Sequence, residues 1–152
     1  MNISSILPQI IDNNYKGHKI ALYTFYLLLI ITIVRSLIHI FAPDGGAESI
    51  ASIPLDDYSL GAQSAIILMF SLWGSSQLMI AIFYFIVAIR YKSLISLMYC
   101  FLILEYVMRL LVGFAKPMDV LHTPPGAYAN YIFPIVSIIM LYFSMPPSKE
   151  IS

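Results

Sequence analysis

SLISLMYCFLILEYVMRLLVGFA, residues Ser93 to Ala115 between Lys92 and Lys116, is the stretch that decides the fold. A bilayer's hydrocarbon core is about 30 Å thick and takes roughly 20 helical residues to cross, so this run is long enough. Its apolar side chains follow one another without alternation, which favours a helix over a barrel strand. Yet it contains Glu105 and Arg109, one helical turn apart. A charge at the bilayer centre costs about 2.5–3.5 kcal/mol on the insertion scale, so such groups normally pair or line a polar cavity. The apolar residues of the run contribute roughly −5 to −10 kcal/mol, and an unpaired Glu105 and Arg109 would cancel about 5 to 7 of that. This helix therefore needs polar partners.

Three further runs have the same character. The expected spans are 20–41, 61–89, 93–115 and 127–145, with 1–19 and 146–152 as cytoplasmic ends and 42–60 as an outer loop. The chain is 60% hydrophobic and 11% charged, which sets it in the membrane class and leaves no room for a soluble domain. The expected fold is an all-α integral membrane four-helix bundle forming a single transmembrane domain. Lys16, Lys19, Arg90 and Lys92 flank one side, whereas the first connection holds Asp44, Glu48, Asp56 and Asp57 with no basic residue. The positive-inside rule then predicts an N-in, C-in topology. Zero formal net charge without a basic run excludes nucleic acid as a partner, because phosphate binding needs clustered cations. The single Cys100 excludes an internal disulfide or a C-x-x-C pair. The first span is too long for a signal peptide and no cleavage site follows it.

Local patterns fill in the ends. Ile3, Ile6, Leu7, Ile10 and Ile11 have the spacing of an amphipathic helix, which would suit a piece lying on the inner surface. A frayed terminus is the alternative. Pro43-Asp44-Gly45-Gly46 signals a turn, and the connection after it reads either as a folded cap or as an open loop. Thr123-Pro124-Pro125-Gly126 reads as a turn into the last helix.

Depth ties the ionisable groups together. At 1.5 Å per residue, Arg35 lies about 9 Å and His39 about 3 Å inside the outer end of the first span. If the third span ends near Gly113, Arg109 lies about 6 Å and Glu105 about 12 Å inside. Arg35, His39, Glu105 and Arg109 thus form one expected charge cluster in the outer half of the membrane. Glu105 is too short and too deep to reach water, whereas Arg109 can snorkel. Placing Glu105 between both guanidiniums leaves one positive charge in excess, for Asp44 or Glu48 of the outer loop, or an anionic ligand, to neutralise. Tyr128, Asn130 and Tyr131 complete a possible rim. Gly74, Ser75 and Gln77 read as a small, polar helix-packing patch, with Trp73 beside them as packing.

The layout resembles the small bacterial inner-membrane proteins loosely called DoxX-like. The carriers are Phe41-Ala42-Pro43, the Glu105-x-x-x-Arg109 pair and Lys116-Pro117. That resemblance implies the four-helix fold and an inner-membrane location, and it brings no catalytic residues with it. No G-x-S-x-G, H-E-x-x-H, Walker A or G-x-G-x-x-G motif is present, and the histidines stand apart at 18, 39 and 122. The residues therefore point to a non-enzymatic binding or accessory subunit with an outward-facing polar pocket, requiring no cofactor and no metal. Its partners would be the lipid bilayer and a small anionic ligand or a membrane subunit. Two readings stay open beside it: a small oligomeric transporter using Glu105, self-associating through the Gly74 patch, and a bundle whose charges only clamp its helices together.

Overall fold

A computed structural model of the protein describes residues 6–146. Among them, four helices carry the architecture and no strand occurs: α1 (Lys19–Phe41), α2 (Leu60–Arg90), α3 (Ile95–Ala115) and α4 (Pro125–Ser144). All four are long and apolar enough to cross a membrane, which suits a multi-pass membrane protein. Short 3-10 turns at Leu55–Asp57 and Lys92–Leu94 lie in the first two connections. The bundle thus has a loop end, where Ala42–Ser59 folds, and a turn end, where α2 passes tightly into α3.

Local chemistry sets the helix limits. His18 caps α1 by accepting the Ile20 N–H at Nδ1, 3.2 Å away. Pro43 pushes Ala42 into an extended conformation, at ψ 140°, and ends the helix there. Ser59 accepts from the Ala62 N–H to open α2. Pro125 sits in the first turn of α4, where its missing N–H costs nothing. Pro134 lies buried inside α4 without ending it. The hydroxyls of Ser64, Ser71, Ser75 and Ser76 each donate to the carbonyl four residues back. A serine-rich helix therefore presents few free polar groups.

The helices pair unevenly. α1 packs along α2 and α3 along α4, while α1 and α4 join these two hairpins more lightly. The backbones of α2 and α3 approach each other at few places, so the ring of four is least closed along that seam. At the turn end the interior is tight. Phe25 packs against Tyr84 and Tyr99 at centroid distances of 5.7 and 5.9 Å, with Ile95, Met98 and Leu102 buried around them. Hydroxyls there find carbonyls: Tyr99 donates to Ala21 at 2.6 Å, Ser96 to Ser144 at 3.1 Å and Tyr26 to Ala88 at 3.3 Å.

Residues 7–18 do not continue as the expected amphipathic helix, and Ile3 lies outside the described residues. Leu7 to His18 instead run as bends and extended chain tucked beneath the helix ends. Asp12 and Ser93 exchange backbone and side-chain hydrogen bonds, and the His18 N–H donates to Phe143 at 2.8 Å. Burial, reinforced by neighbouring Tyr26, pushes the Tyr15 phenol up to about 12, so it remains a donor to the His18 carbonyl. Most of the expected tail, 147–152, also lies outside the described residues.

At the loop end the helices are staggered. Gly74, well inside α2, faces the last turn of α1, where a Cβ would stand 2.6 Å from His39 Cβ and 3.0 Å from the Ser36 carbonyl. The first turns of α2 therefore overshoot the end of α1 by roughly 15–20 Å. The connection 42–59 fills that step as a folded cap. Its Ala47, Ile53 and Leu55 are buried against Ile66, Ile67 and Phe70 of α2. Ser52, at φ 60°, fastens the cap to the third connection through the Leu121 N–H at 2.9 Å and His122 Nε2 at 2.8 Å.

Candidate functional site: a charged centre bridging three helices

Glu105 sits midway along α3, about 15 Å from either end, because the helix runs to Ala115 and not only to Gly113. The charged centre therefore lies nearer mid-helix than the sequence bookkeeping placed it. Three helices deliver donors to its carboxylate. Arg109 of α3 bonds it through Nη2 and, at 3.1 Å, through Nε. Gln77 of α2 donates from Nε2 at 3.3 Å. Arg35 of α1 stands at 3.8 Å as a second ion-pair partner. All these contacts fall on one oxygen, Oε1.

The stagger explains why Gln77 meets the charges. It lies about 25 Å from the start of α2, which looks too deep if both hairpin helices end level. Because α1 stops opposite Gly74, Gln77 is level with Arg35, one turn further in. The small side of Gly74 also lets the two backbones close on each other, which is the packing role expected of it. Ser75 has no part in that contact: it is exposed and its hydroxyl turns back to the Ser71 carbonyl. Gln77, expected as packing glue, is a buried ligand of the carboxylate.

Trp73 stands between the cations. The Arg109 guanidinium lies 4.9 Å and the Arg35 guanidinium 5.8 Å from its ring centroid. Arg109 also lies 5.4 Å from the Tyr106 ring. Negative ring faces stabilise cations that have left water. Neither Trp73 nor Gln77 stood out from the sequence as a partner of the arginines; the signal that could have found them is their i, i+4 spacing on a helix whose single charge is the terminal Arg90.

His39 belongs to the cap, one aromatic ring removed from the charges. Its ring is 4.8 Å from Trp73 and 5.7 Å from Phe70, and Nδ1 lies 2.8 Å from the Gly45 carbonyl. A carbonyl only accepts, so Nδ1 carries the proton. Gly46, at φ +73°, approaches this ring so closely that a Cβ would lie 3.0 Å from Nδ1. A glycine is needed there both for conformation and for space.

The acidic loop does not neutralise the arginines. Asp44 accepts N–H bonds from Gly46 at 2.9 Å, Ser49 at 2.7 Å and Glu48 at 3.1 Å, which folds the turn of the cap. Burial opposes its charge, but the bonds from Ser49 and Gly46 outweigh it and hold the carboxyl down at about 2. Glu48 is exposed, and among the described residues Glu105 is the only acid ion-paired with either arginine. Tyr128 and Tyr131 are exposed and Asn130 half-buried near the start of α4, without a hydrogen bond to the centre. Among the described residues, no three of His, Cys, Asp and Glu gather as a metal site would require.

With Glu105 ionised and guanidiniums permanently charged, the centre carries one positive charge in excess. Two of its buried polar atoms, Arg35 Nε and Gln77 Oε1, have no hydrogen-bond partner among the described residues. Arg35, Arg109 and Glu105 retain 19%, 16% and 20% side-chain exposure, so the centre is reachable. The cap and His39 cover the loop-end side of α1. Close to Gln77 and Glu105 in the chain, Trp73 and Ile80 on α2 and Phe101 and Met108 on α3 are exposed. No known protein family, curated protein or solved structure matches this chain, so the chemistry of the centre is argued from its own geometry.

Proposed function

We propose that this chain is a non-enzymatic binding or accessory subunit of a membrane, and that its charged centre takes up an anionic group. The observation carrying this reading is the uncompensated charge: two guanidiniums converge on one carboxylate, within reach of the seam between α2 and α3. A clamp that only fixed helix packing would be neutral with one arginine. Here Glu105 pins three helices and holds both cations in place, while the second cation and the unpartnered Arg35 Nε are left to bind. Desolvated cations about 9 Å inside their helix ends are costly, and an incoming anion lowers that cost.

An N-in, C-in topology in a plasma membrane, for which the basic flanks speak, puts the cap on the outer side. The layout shared with DoxX-like bacterial inner-membrane proteins is consistent with that location. On this reading the anion reaches the centre along the flank of the bundle, because the cap covers the loop end on the α1 side.

Trp73, the single tryptophan, reports directly on the centre. Purified protein in neutral detergent is titrated with octanoate and with inorganic phosphate, following Trp73 emission and unfolding temperature. The expected result is a saturable change for at least one anion in wild type that is lost in Arg35→Gln. The same response in both proteins would remove Arg35 from any binding role.

A further inference from the structure

We infer that the anionic group arrives on another protein: the seam between α2 and α3 is a docking surface for a membrane-spanning helix that carries one carboxylate near mid-depth. This rests on the reading of the centre as an anion site and names its partner. Three observations select that partner. The excess is a single positive charge, so one carboxylate neutralises it whereas a dianion would overshoot. Arg35 and Arg109 lie about 9 Å and Glu105 about 15 Å inside the ends of their helices, below the level of the headgroups, a depth that a residue within a spanning helix reaches without cost in position.

The third observation concerns the surface. Within about one turn of Gln77 and Glu105, Trp73 and Ile80 of α2 and Phe101 and Met108 of α3 are 39 to 49% exposed, and their i, i+3 or i, i+4 spacing puts them on rows neighbouring those two residues. Ser76, exposed between them, has its hydroxyl occupied by the Leu72 carbonyl. The surface beside the charges is thus apolar and suited to a helix rather than to a hydrated ion. A second copy of this chain does not serve as the partner. Glu105 is the only acid in the four spans, it is already engaged in each copy, and each copy brings the same positive excess.

The test uses the full chain in phosphatidylcholine vesicles, with synthetic apolar helices of about 20 residues that lack tryptophan. Each helix carries a dansyl acceptor and differs only at its central residue, Glu, Gln or Leu. Energy transfer from Trp73 gives the affinities. The Glu helix is expected to bind about tenfold tighter than the Gln helix, the scale of one good polar contact between helices. That preference should vanish in Arg35→Gln, which removes the excess charge, and persist in Arg35→Lys, which keeps it. If Arg35→Gln does not fold, Arg109→Gln decides instead, because it removes the same single excess charge and must abolish the preference. Equal affinity for the three helices, or a Glu preference indifferent to these changes, overturns the inference. If octanoate alters Trp73 emission and the Glu helix does not bind preferentially, the partner is wrong while the anion site stands. If neither acts, both fall.

Discussion

The two ends of the bundle solve the same problem in opposite ways. At the turn end, the polar groups that enter the interior are hydroxyls, and Tyr99, Tyr26 and Ser96 each reach a backbone carbonyl. Phe25, Ile95 and Met98 then close the space completely. Towards the loop end the interior holds two guanidiniums, a carboxylate and an amide, and it leaves an excess charge with two unpartnered atoms. The turn end leaves one buried neutral hydroxyl, that of Ser137 in α4, without a partner among the described residues. The other leaves a charge that Glu105 alone does not neutralise, so the two ends differ in buried charge as well as in unpartnered atoms.

The largest effect should follow from breaking the charged centre. Glu105→Ala leaves two cations without their shared partner and should lower stability in detergent by about 3 kcal/mol or more, measured by denaturant unfolding followed at Trp73. Arg35→Gln, by contrast, leaves a neutral Glu105–Arg109 pair and should cost far less. If both variants lose the same stability, Arg35 is part of the clamp and the contrast between the two ends weakens.

Gly74→Leu comes next. Its side chain must enter where even a Cβ meets His39 and the Ser36 carbonyl, so α1 and α2 are forced apart. Overpacking of this kind costs about 2 kcal/mol, and Ser75→Leu, on the exposed side, should cost little in the same unfolding assay. At the turn end, Tyr99→Phe leaves the Ala21 carbonyl without the phenol as donor and should cost about 1 kcal/mol. Anion titration of Trp73 should be unchanged in that variant, since the two ends act separately.

The smallest effect concerns the cap. The Asp44 carboxyl titrates below its ordinary 3.8, near 2, so its stabilisation of the turn is full above about pH 4 and is lost as pH falls through about 2. Amide hydrogen exchange at Gly46 and Ser49 should accelerate over that window and not in residues of α3. Asp44→Ala should show the accelerated exchange already at neutral pH.

Much of this was legible in the chain because hydropathy and chain breakers act locally. The expected spans 20–41, 61–89, 93–115 and 127–145 differ from α1 to α4 by no more than two residues at any end. Depth along a helix is also local, which is why Arg35, Glu105 and Arg109 could be grouped from their positions alone. The reading failed where it needed rotation or stagger. Ser75 and Gln77 are two residues apart, yet one faces outward and the other bonds Glu105. Asp44 and Glu48 looked available to the arginines because their charges were right, but backbone N–H groups take up Asp44, and Glu48 is exposed and pairs with neither arginine. The Leu7–Ile11 spacing suggested a helix, and Pro8 with the pull of Asp12 to Ser93 coincides with a different path.

The sequence alone determined that four apolar helices form and that one of them carries a carboxylate and a guanidinium it cannot keep unpaired. Those properties follow from burial cost and from dihedral preference, each residue by residue. Only the tertiary structure decided that α1 stops opposite Gly74, and hence that Gln77 and Trp73 meet Arg35 and Arg109 at Glu105. Stagger is set by how two surfaces pack, and it has no counterpart in the linear order of side chains.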